Sequence, residues 1–473
     1  MQPLVPHAPG VNVLAGTQFF SGFARLSKLA PCLAAVVLIL ASTSARAGIF
    51  FPETFTLSNG MQVVVVNNPR APVVTHMVWY KVGAADEPYG KSGIAHLLEH
   101  LMFKATSNAP AGEFSRLVAL QGGRENAFTS WDYTAYFQSI ASDQLELVMR
   151  MEADRMANLQ LTEEAVTTER AVVIEERRQR IENNPTARLG EEMRGTLFLH
   201  HPYGRPIIGW AHEVAALDQR DAEAFYKIWY TPANAILVVS GDVTMKSLKP
   251  LAETYYGAVV GPPAPNRSRV QEPRLSTSRR IVLKDPQARQ PSFGRFYKAP
   301  SYSQGDADYA EPLEVLAEIL GGGTLGRLYR NLVVERKLAT GADADYSPTA
   351  VDLSVFAFRV TPAPGGEPST VELALDREIE QVLRDGVTQA EVAEAKQRLL
   401  ARVAYAKDSL MGPAYALGAA LASGLTIEHV ENWPDRIEAV TQERVNGAAR
   451  AVLGQAEHVD SRLLPAVSEG PPP

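Results

Sequence analysis

Cysteine is almost absent from this 473-residue sequence, and Cys32 is the only one. A single cysteine leaves no possibility of an intrachain disulfide. Cys32 also lies in an N-terminal segment that we expect to be removed, so the mature chain would carry no thiol. A chain without thiols agrees with an oxidising compartment.

An excess of positive charge is also lacking. The sequence has 46 Lys and Arg against 53 Asp and Glu, which gives a formal net charge of −7. Removal of residues 1–47 would take away Arg25, Lys28 and Arg46 and no acidic residue, and −7 − 3 gives −10. An acidic protein without a basic stripe is a poor nucleic-acid binder, so we expect no nucleic-acid partner.

Long hydrophobic runs are scarce, and the run Leu33–Leu40 is too short for a comfortable membrane span. It follows Arg25 and Lys28 and precedes small residues that end in Ala45-Arg46-Ala47, a pattern typical of a signal peptide. We predict cleavage after Ala47, no membrane span after cleavage, and a periplasmic or secreted protein. The alternative is an uncleaved membrane anchor.

The strongest motif is His96-Leu97-Leu98-Glu99-His100. The surrounding segment Gly93–Lys104 has no proline and carries regularly spaced leucines, which predicts a helix. Positions i and i+4 share one helix face, so His96 and His100 can turn ring nitrogens toward one metal ion. Glu99 would then reach a water on that ion. Catalytic zinc uses three protein ligands and a water, and this motif supplies two. The alternative is a surface helix with incidental histidines.

The third ligand is expected to be a carboxylate from the charged helix predicted over Thr162–Asn183. Glu169 and Glu176 are seven residues apart, two turns along one face. Glu175 points roughly 100° away from Glu176. If Glu169 faces the metal helix, Glu176 does too. The other charges of this helix are interpreted as facing water, including Arg177, Arg178 and Arg180.

These residues together resemble the pitrilysin or insulinase family of zinc peptidases, which includes the mitochondrial processing peptidase. H-x-x-E-H is the signature of the inverzincins. The resemblance covers nearly all of the chain after residue 50, although Ala105 stands where the family usually has glycine. The matching segments are SNGMQVVVV, GIAHLLEHLMFKAT, GGRENAFTSWDYTAYF, ERAVVIEE, FYKIWYTPANAILVVSGDV and LGGGTLGRLYRNLVVERKLA.

The resemblance implies a metal site and a reaction. His96, His100 and Glu176 would hold one Zn²⁺ per chain, although such a donor set also accepts manganese or cobalt. Glu169 matches the glutamate that supports the family's metal site without binding the ion. Glu99 would be the general base that activates the water in a zinc metalloendopeptidase.

Substrate binding is expected on a strand. Glu125–Phe137 is rich in Thr, Tyr, Phe and Trp, which predicts a strand. By resemblance, Asn126, Ala127 and Phe128 lie on an edge strand beside the metal, where an unfolded or short peptide can add as a further strand. The alternative is a core strand that binds nothing.

One departure from the family concerns an Arg/Tyr pair in its second half, which holds the substrate backbone and stabilises the oxyanion. Here Val333 and Thr340 occupy those positions, and Arg336 and Tyr346 lie nearby but out of register. The resemblance therefore implies half an enzyme, completed by a metal-free companion chain with the Arg/Tyr pair. The alternatives are that the pair is dispensable or replaced from elsewhere, or that the chain is a scaffold or peptide-binding subunit with little activity alone.

The predicted fold class is α+β. We expect two homologous half-domains, each a mostly antiparallel sheet with helices packed on one face, and the resemblance implies that they form half of a clamshell. A stretch rich in Pro, Ser and Arg separates the halves. The predicted boundaries are 1–47 signal peptide, 48–262 N-terminal metal-binding domain, 263–280 linker, 281–466 C-terminal domain and 467–473 disordered tail.

Overall fold

The computed structural model describes residues 48–466. The predicted signal peptide and the predicted C-terminal tail lie outside the described residues. Within the described range, no helix combines the length and the apolar character that a membrane crossing requires.

The first half is organised around a six-stranded sheet in the order β1-β2-β6-β3-β5-β4. Only the pairing of β2 with β6 is parallel. The central strands are runs of β-branched and aromatic residues that are buried on both faces, as expected where both faces are covered. The strands are β1 (Glu53–Thr56), β2 (Gln62–Asn67), β3 (Val73–Tyr80), β4 (Arg124–Thr129), β5 (Thr134–Ala141) and β6 (Ala235–Gly241).

The second half contains a five-stranded sheet in the order β7-β11-β8-β10-β9. Only the pairing of β7 with β11 is parallel. Two mostly antiparallel sheets with helices confirm the predicted α+β class and the two halves. The strands are β7 (Arg279–Asp285), β8 (Ser292–Ala299), β9 (Ala339–Tyr346), β10 (Ser354–Pro362) and β11 (Val459–Pro465).

Eight α-helices belong to the first half and seven to the second, within residues 48–466. The first set is α1 (Ile94–Leu101), α2 (Glu113–Leu120), α3 (Leu145–Asn158), α4 (Glu163–Arg177), α5 (Pro185–Leu197), α6 (Ala211–Ala216), α7 (Gln219–Trp229) and α8 (Met245–Tyr255). The second set is α9 (Ala310–Gly321), α10 (Pro368–Asp385), α11 (Gln389–Asp408), α12 (Gly412–Ala422), α13 (Ile427–Glu431), α14 (Trp433–Glu438) and α15 (Gln442–Leu453).

Each half packs its own helices on one face of its sheet and receives a helix from the other half on the opposite face. Val63 and Val65 of β2 face the first half's own helices. Val64 and Val66 face α12, whose Leu417 is fully buried there. In return, α5 of the first half packs against β7 and β11 of the second sheet. Helices α5 and α12 therefore each pack on the sheet of the other half and form two apolar cores between the halves. Local sequence patterns do not reveal this exchange.

Helix α12 approaches the first sheet closely because residue 418 has no side chain. A Cβ at Gly418 would lie 2.1 Å from the ring of Trp79, which is completely buried. We expect Gly418→Ala to destabilise the protein by about 1–3 kcal/mol, because the indole must shift in a packed core. At Gly447 in α15 the nearest atom to such a Cβ is 3.9 Å away, so Gly447→Ala should stabilise by about 0.5–1 kcal/mol. Urea denaturation compares the two, and equal stability of both variants would contradict this packing.

The segment predicted as a linker contains no helix or strand until β7, which begins at Arg279, two residues before the predicted start of the C-terminal domain. It is nevertheless held firmly. Arg269 pairs with two residues of the first half, Asp86 at 2.9 Å and Asp132 at 2.5 Å. It also pairs with Asp352 of the second half at 3.1 Å. These buried ion pairs hold the segment against both halves, whereas its composition predicted only a linker between them.

Candidate metal centre

Helix α1 carries the histidine motif and is anchored at both its apolar face and its N-terminus. Leu97, Leu98 and Leu101 are fully buried. The carboxylate of Glu87 accepts hydrogen bonds from the backbone N–H of Gly93 and Ala95, which are free donors at a helix start. The predicted helix is thus present, somewhat shorter than expected, and held in a fixed orientation.

Helix α4 presents two glutamates to α1, as the helical-face argument predicted. Thr162 caps its N-terminus by accepting from Ala165 N–H. Glu169 is buried and Glu176 is half-buried against α1. The Glu175 side chain is 54% exposed and pairs with Arg178. The α-helical part ends at Arg177, and a π-helical stretch follows over Arg178–Glu182. Such stretches often accompany functional sites.

The three predicted metal ligands, His96, His100 and Glu176, converge on one point, which is called the metal point below. Glu176 Oε2 lies 3.6 Å from His96 Nε2 and 3.3 Å from His100 Nε2, and one ligand atom from each residue lies within 4.8 Å of the others. Ligands about 2.0–2.2 Å from a tetrahedral zinc ion are about 3.3–3.6 Å apart. Glu176 Oε2 is buried and receives no hydrogen bond from the described residues, which suits an oxygen that faces a cation. The donors therefore fit the metal, and their role as ligands stays a prediction.

The protonation of His96 and Glu176 suits metal binding, whereas at His100 the facing Glu176 carboxylate outweighs burial and raises the pKa of the imidazole, so a metal ion has to displace its proton. Burial and the neighbouring His100 lower the pKa of His96 to about 4, so its imidazole is neutral at pH 7. The facing imidazole of His100 lowers the pKa of Glu176, so this carboxyl is ionised. A neutral imidazole and an ionised carboxylate are the forms that coordinate a metal ion.

Glu99 lies beside the three ligands without joining them. Burial raises the pKa of Glu99. Its Oε2 accepts a 2.5 Å hydrogen bond from Thr129 Oγ1, at the end of β4. Thr129 could not be identified from the sequence, because only the fold brings the end of β4 to α1. This hydrogen bond fixes the position of the predicted general base.

Glu169 contacts a metal-ligand candidate and not the metal point itself. Its Oε2 lies 3.3 Å from His100 Nδ1, and its Oε1 pairs with Lys104 Nζ at 2.5 Å. A carboxylate on the second ring nitrogen of a ligating histidine fixes the tautomer and orientation of the ring. This position of Glu169 matches the supporting role that the family resemblance implied. The role itself stays a prediction.

The metal point opens into a cleft of about 770 Å³. Strand β4 forms one wall and pairs only with β5, so its other edge is unpaired within the described sheet. Asn126, Ala127 and Phe128 lie on β4 and line this cleft. The Phe128 ring itself packs against Trp79, on the far side of the sheet. The predicted single strand over Glu125–Phe137 is in fact a hairpin, with a turn between β4 and β5.

No residue of the second half lines the cleft in the part of the chain that the structure describes. Val333 lies in the π-helical segment Tyr329–Glu335, and Thr340 is exposed on β9. Arg336 is 3.8 Å from Glu378, and Tyr346 donates its hydroxyl proton to Pro300 O. Arg336 and Tyr346 are therefore engaged elsewhere and do not replace the missing pair.

The interpretation of Arg177 as a solvated charge is wrong. Arg177 is buried, and its guanidinium donates two hydrogen bonds to Glu191 and one to Gly209 O. Its partner on α5 is fourteen residues away, beyond the reach of a helical-face argument. Arg178 is exposed as expected. Arg180 is also exposed, but it pairs with Glu176 Oε1 at 2.7 Å.

Comparisons with known proteins agree with this geometry. Residues 62–210 match the insulinase family (peptidase family M16), and residues 216–399 match the M16 inactive domain. The zinc protease PqqE of Helicobacter pylori is 34% identical over 373 residues, which span 77% of this chain and 82% of that protein. An uncharacterized zinc protease of Mycobacterium bovis is 29% identical over 424 residues, or 88% of this chain and 95% of that protein.

Solved structures give the same fold. The crystal structure of a protease from Helicobacter pylori superposes with a TM-score of 0.83 at 29% identity and covers 88% of this chain and 99% of that one. Pitrilysin superposes with a TM-score of 0.74 at 18% identity, over 88% of this chain and 45% of its own. The likeness to pitrilysin supports the fold alone. Family match, sequence identity and metal-site geometry together place this chain in the insulinase (M16) family of peptidases.

Proposed function

We propose that this chain is a zinc metalloendopeptidase that hydrolyses unfolded or short peptides. The observation that carries the proposal is the convergence of His96, His100 and Glu176 on one point, with Glu99 beside it and a cleft of about 770 Å³ in front. The name zinc protease borne by the relatives supports the choice of metal and reaction. One zinc ion per chain is proposed.

Zinc held by these residues would lower the pKa of a water molecule and polarise the scissile carbonyl. Glu99 accepts the proton of the attacking water and delivers it to the leaving amine, as a carboxylate held within reach of both can do. Thr129 keeps the Glu99 carboxylate in place. Glu169 holds the ring of His100.

The substrate backbone pairs with the free edge of β4 at Asn126, Ala127 and Phe128. Main-chain hydrogen bonds to an edge strand give affinity without reading most side chains. This mode requires an extended segment, which is why unfolded or short peptides are proposed as substrates. We also propose, from the predicted signal peptide alone, that the mature enzyme is periplasmic or secreted.

The reaction is tested with a quenched peptide and purified full-length protein. Hydrolysis should stop on addition of a chelator and return with added zinc, because the proposed cation activates the water. Hydrolysis that continues at the same rate in the chelator would contradict the zinc mechanism.

We further propose that the chain supplies one half of the complete site, with a companion chain of the same family closing the clamshell. Supporting this, Val333 and Thr340 occupy the Arg/Tyr positions, and neither can donate a charge-assisted hydrogen bond. A missing oxyanion donor typically costs about 10²–10³ in rate. The companion is sought as an adjacent reading frame that lacks H-x-x-E-H but carries R-x6-Y in its second half.

Adding that companion should raise the rate of peptide hydrolysis by about 10²–10³. The measurement compares each chain alone with the mixed pair on the same quenched peptide. A companion whose own Arg and Tyr are replaced by alanine and phenylalanine is the matched control. An isolated chain that is already as fast as the pair would refute the half-site proposal.

A scaffold or peptide-binding subunit is the second candidate function, and the absent Arg/Tyr pair favours it. The two candidates differ in one respect: a scaffold binds peptide without chelator-sensitive hydrolysis, alone or in the pair. The intact group of His96, Glu99, His100 and Glu176 favours the peptidase, since a scaffold needs no such arrangement.

A further inference from the structure

Arg194 lies in the wall of the cleft that contains the metal point. It belongs to α5, and its guanidinium carbon lies 3.8 Å from the centre of the Trp131 ring and 5.9 Å from that of Phe198. The same cleft is lined by His96 and Glu99. Arg194 is therefore a cation held on aromatic rings within the proposed substrate site.

Arg194 differs from the other cations of the cleft in having no carboxylate partner among residues 48–466. Lys104 pairs with Glu169, and Arg180 pairs with Glu176. Glu191 lies one turn before Arg194 on α5, where a glutamate could pair with it. Arg177 takes both oxygens of Glu191 instead. The nearest acidic candidate on the helix is thus already occupied.

The chemistry of the guanidinium indicates what this side chain can bind. Stacking on Trp131 covers a face of the group, whereas its five N–H donors lie in its plane. No described residue accepts from these donors. Burial lowers the pKa of Arg194 to about 10, so it remains charged at neutral pH. A carboxylate that enters the cleft would match these donors with two parallel hydrogen bonds.

The position of Arg194 relates it to the proposed substrate strand. Thr129, which holds Glu99, is the last residue of β4, and Trp131 follows two residues later. A strand advances about 3.3 Å per residue. A peptide paired with β4 that continues past Glu99 therefore passes Trp131 and Arg194 within a few residues of the bond beside Glu99.

We propose that Arg194 binds a carboxylate of the peptide substrate within about three residues of the scissile bond. The enzyme then prefers an acidic residue, or a free C-terminus, at that one position. Elsewhere along the strand, backbone pairing tolerates most side chains. This inference rests on the proposed function, because it assumes that the cleft binds peptide.

The test measures binding separately from hydrolysis. Glu99→Gln protein, loaded with zinc, is titrated with short fluorescent peptides, and anisotropy reports the dissociation constant. In one series both ends are blocked and a single glutamate is moved along the peptide, with glutamine at the same place as reference. In the second series the peptides contain no acidic residue and end in a free carboxylate or an amide.

We expect glutamate at one position, or the free carboxylate, to bind about tenfold more tightly than its neutral reference. The Arg194→Gln substitution should abolish the difference, and Arg194→Glu should favour lysine over glutamate at the same position. Arg178→Gln, which removes an exposed arginine of the neighbouring segment, should retain the preference. If Arg194→Glu fails to fold, Arg194→Gln and Arg194→Lys decide, with the lysine variant keeping part of the preference.

Equal binding of acidic and neutral peptides in both series would overturn the proposal, and so would a preference that survives Arg194→Gln. Failure of the proposed function has a different signature. Peptides that bind with the expected preference but are never hydrolysed by the wild-type protein, alone or with the companion chain, would refute the peptidase and leave the role of Arg194 intact.

Discussion

Replacing Glu176 by glutamine should strip the protein of zinc, whereas the same replacement at Glu175 should leave its zinc content unchanged. Glu176 Oε2 faces the ring nitrogens of His96 and His100. Glu175 is one residue away, but its side chain is exposed and pairs with Arg178. The two variants remove the same charge from the same helix, so only the position of the carboxylate differs.

The expected loss exceeds that for a residue that merely orients a ligand. Removing such a supporting group lowers metal affinity by about 10–100-fold, and Glu176 is proposed as one of three direct ligands. The amide of glutamine keeps the shape but loses the negative charge that the cation requires. Glu169→Gln should therefore fall between Glu175→Gln and Glu176→Gln.

Zinc content is measured by atomic absorption after dialysis against buffer of low metal content, together with peptide hydrolysis. Thermal unfolding of the zinc-free proteins checks that each variant folds. A Glu176→Gln protein that retains one zinc per chain, or a Glu175→Gln protein that loses it, would show that the ligand set is wrong.

Glu99→Gln should reduce peptide hydrolysis by about 10²–10⁴-fold while the protein keeps its zinc and its affinity for peptide. General acid–base catalysis contributes a factor of this size. Glutamine can still accept the hydrogen bond of Thr129, but it cannot take a proton from water. Glu99 is not one of the three groups that converge on the metal point, so metal binding should survive.

Stopped hydrolysis with unchanged zinc content and unchanged peptide affinity would identify Glu99 as the proton-transfer group. The matched control is Glu175→Gln, which should hydrolyse peptide at the wild-type rate. A Glu99→Gln protein that hydrolyses peptide at the wild-type rate would assign the proton transfer to another residue.

Local sequence patterns predicted the helices that carry the site. The spacing of His96 and His100 and that of Glu169 and Glu176 both follow helical geometry, which is local and needs no tertiary information. The same reasoning separated Glu176 from Glu175. The edge position of β4 came from the family resemblance, and the sheet order bears it out.

Features that depend on distant contacts were not predicted. Thr129 reaches Glu99 only because the end of β4 lies against α1. Arg177 contacts Glu191 only because α5 turns back beside the C-terminal end of α4. The exchange of α5 and α12 between the halves has the same origin. Periodicity shows which face of a helix is apolar but does not show which sheet covers it, since any apolar surface would serve.

The most direct test of the metal site is anomalous diffraction at the zinc edge from crystals of the protein grown with zinc. We expect one strong peak, about 2.0–2.2 Å from His96 Nε2, His100 Nε2 and a carboxylate oxygen of Glu176, with Glu99 close by but outside bonding distance. Absence of a peak at this place, or a peak that Glu176 does not reach, would contradict it.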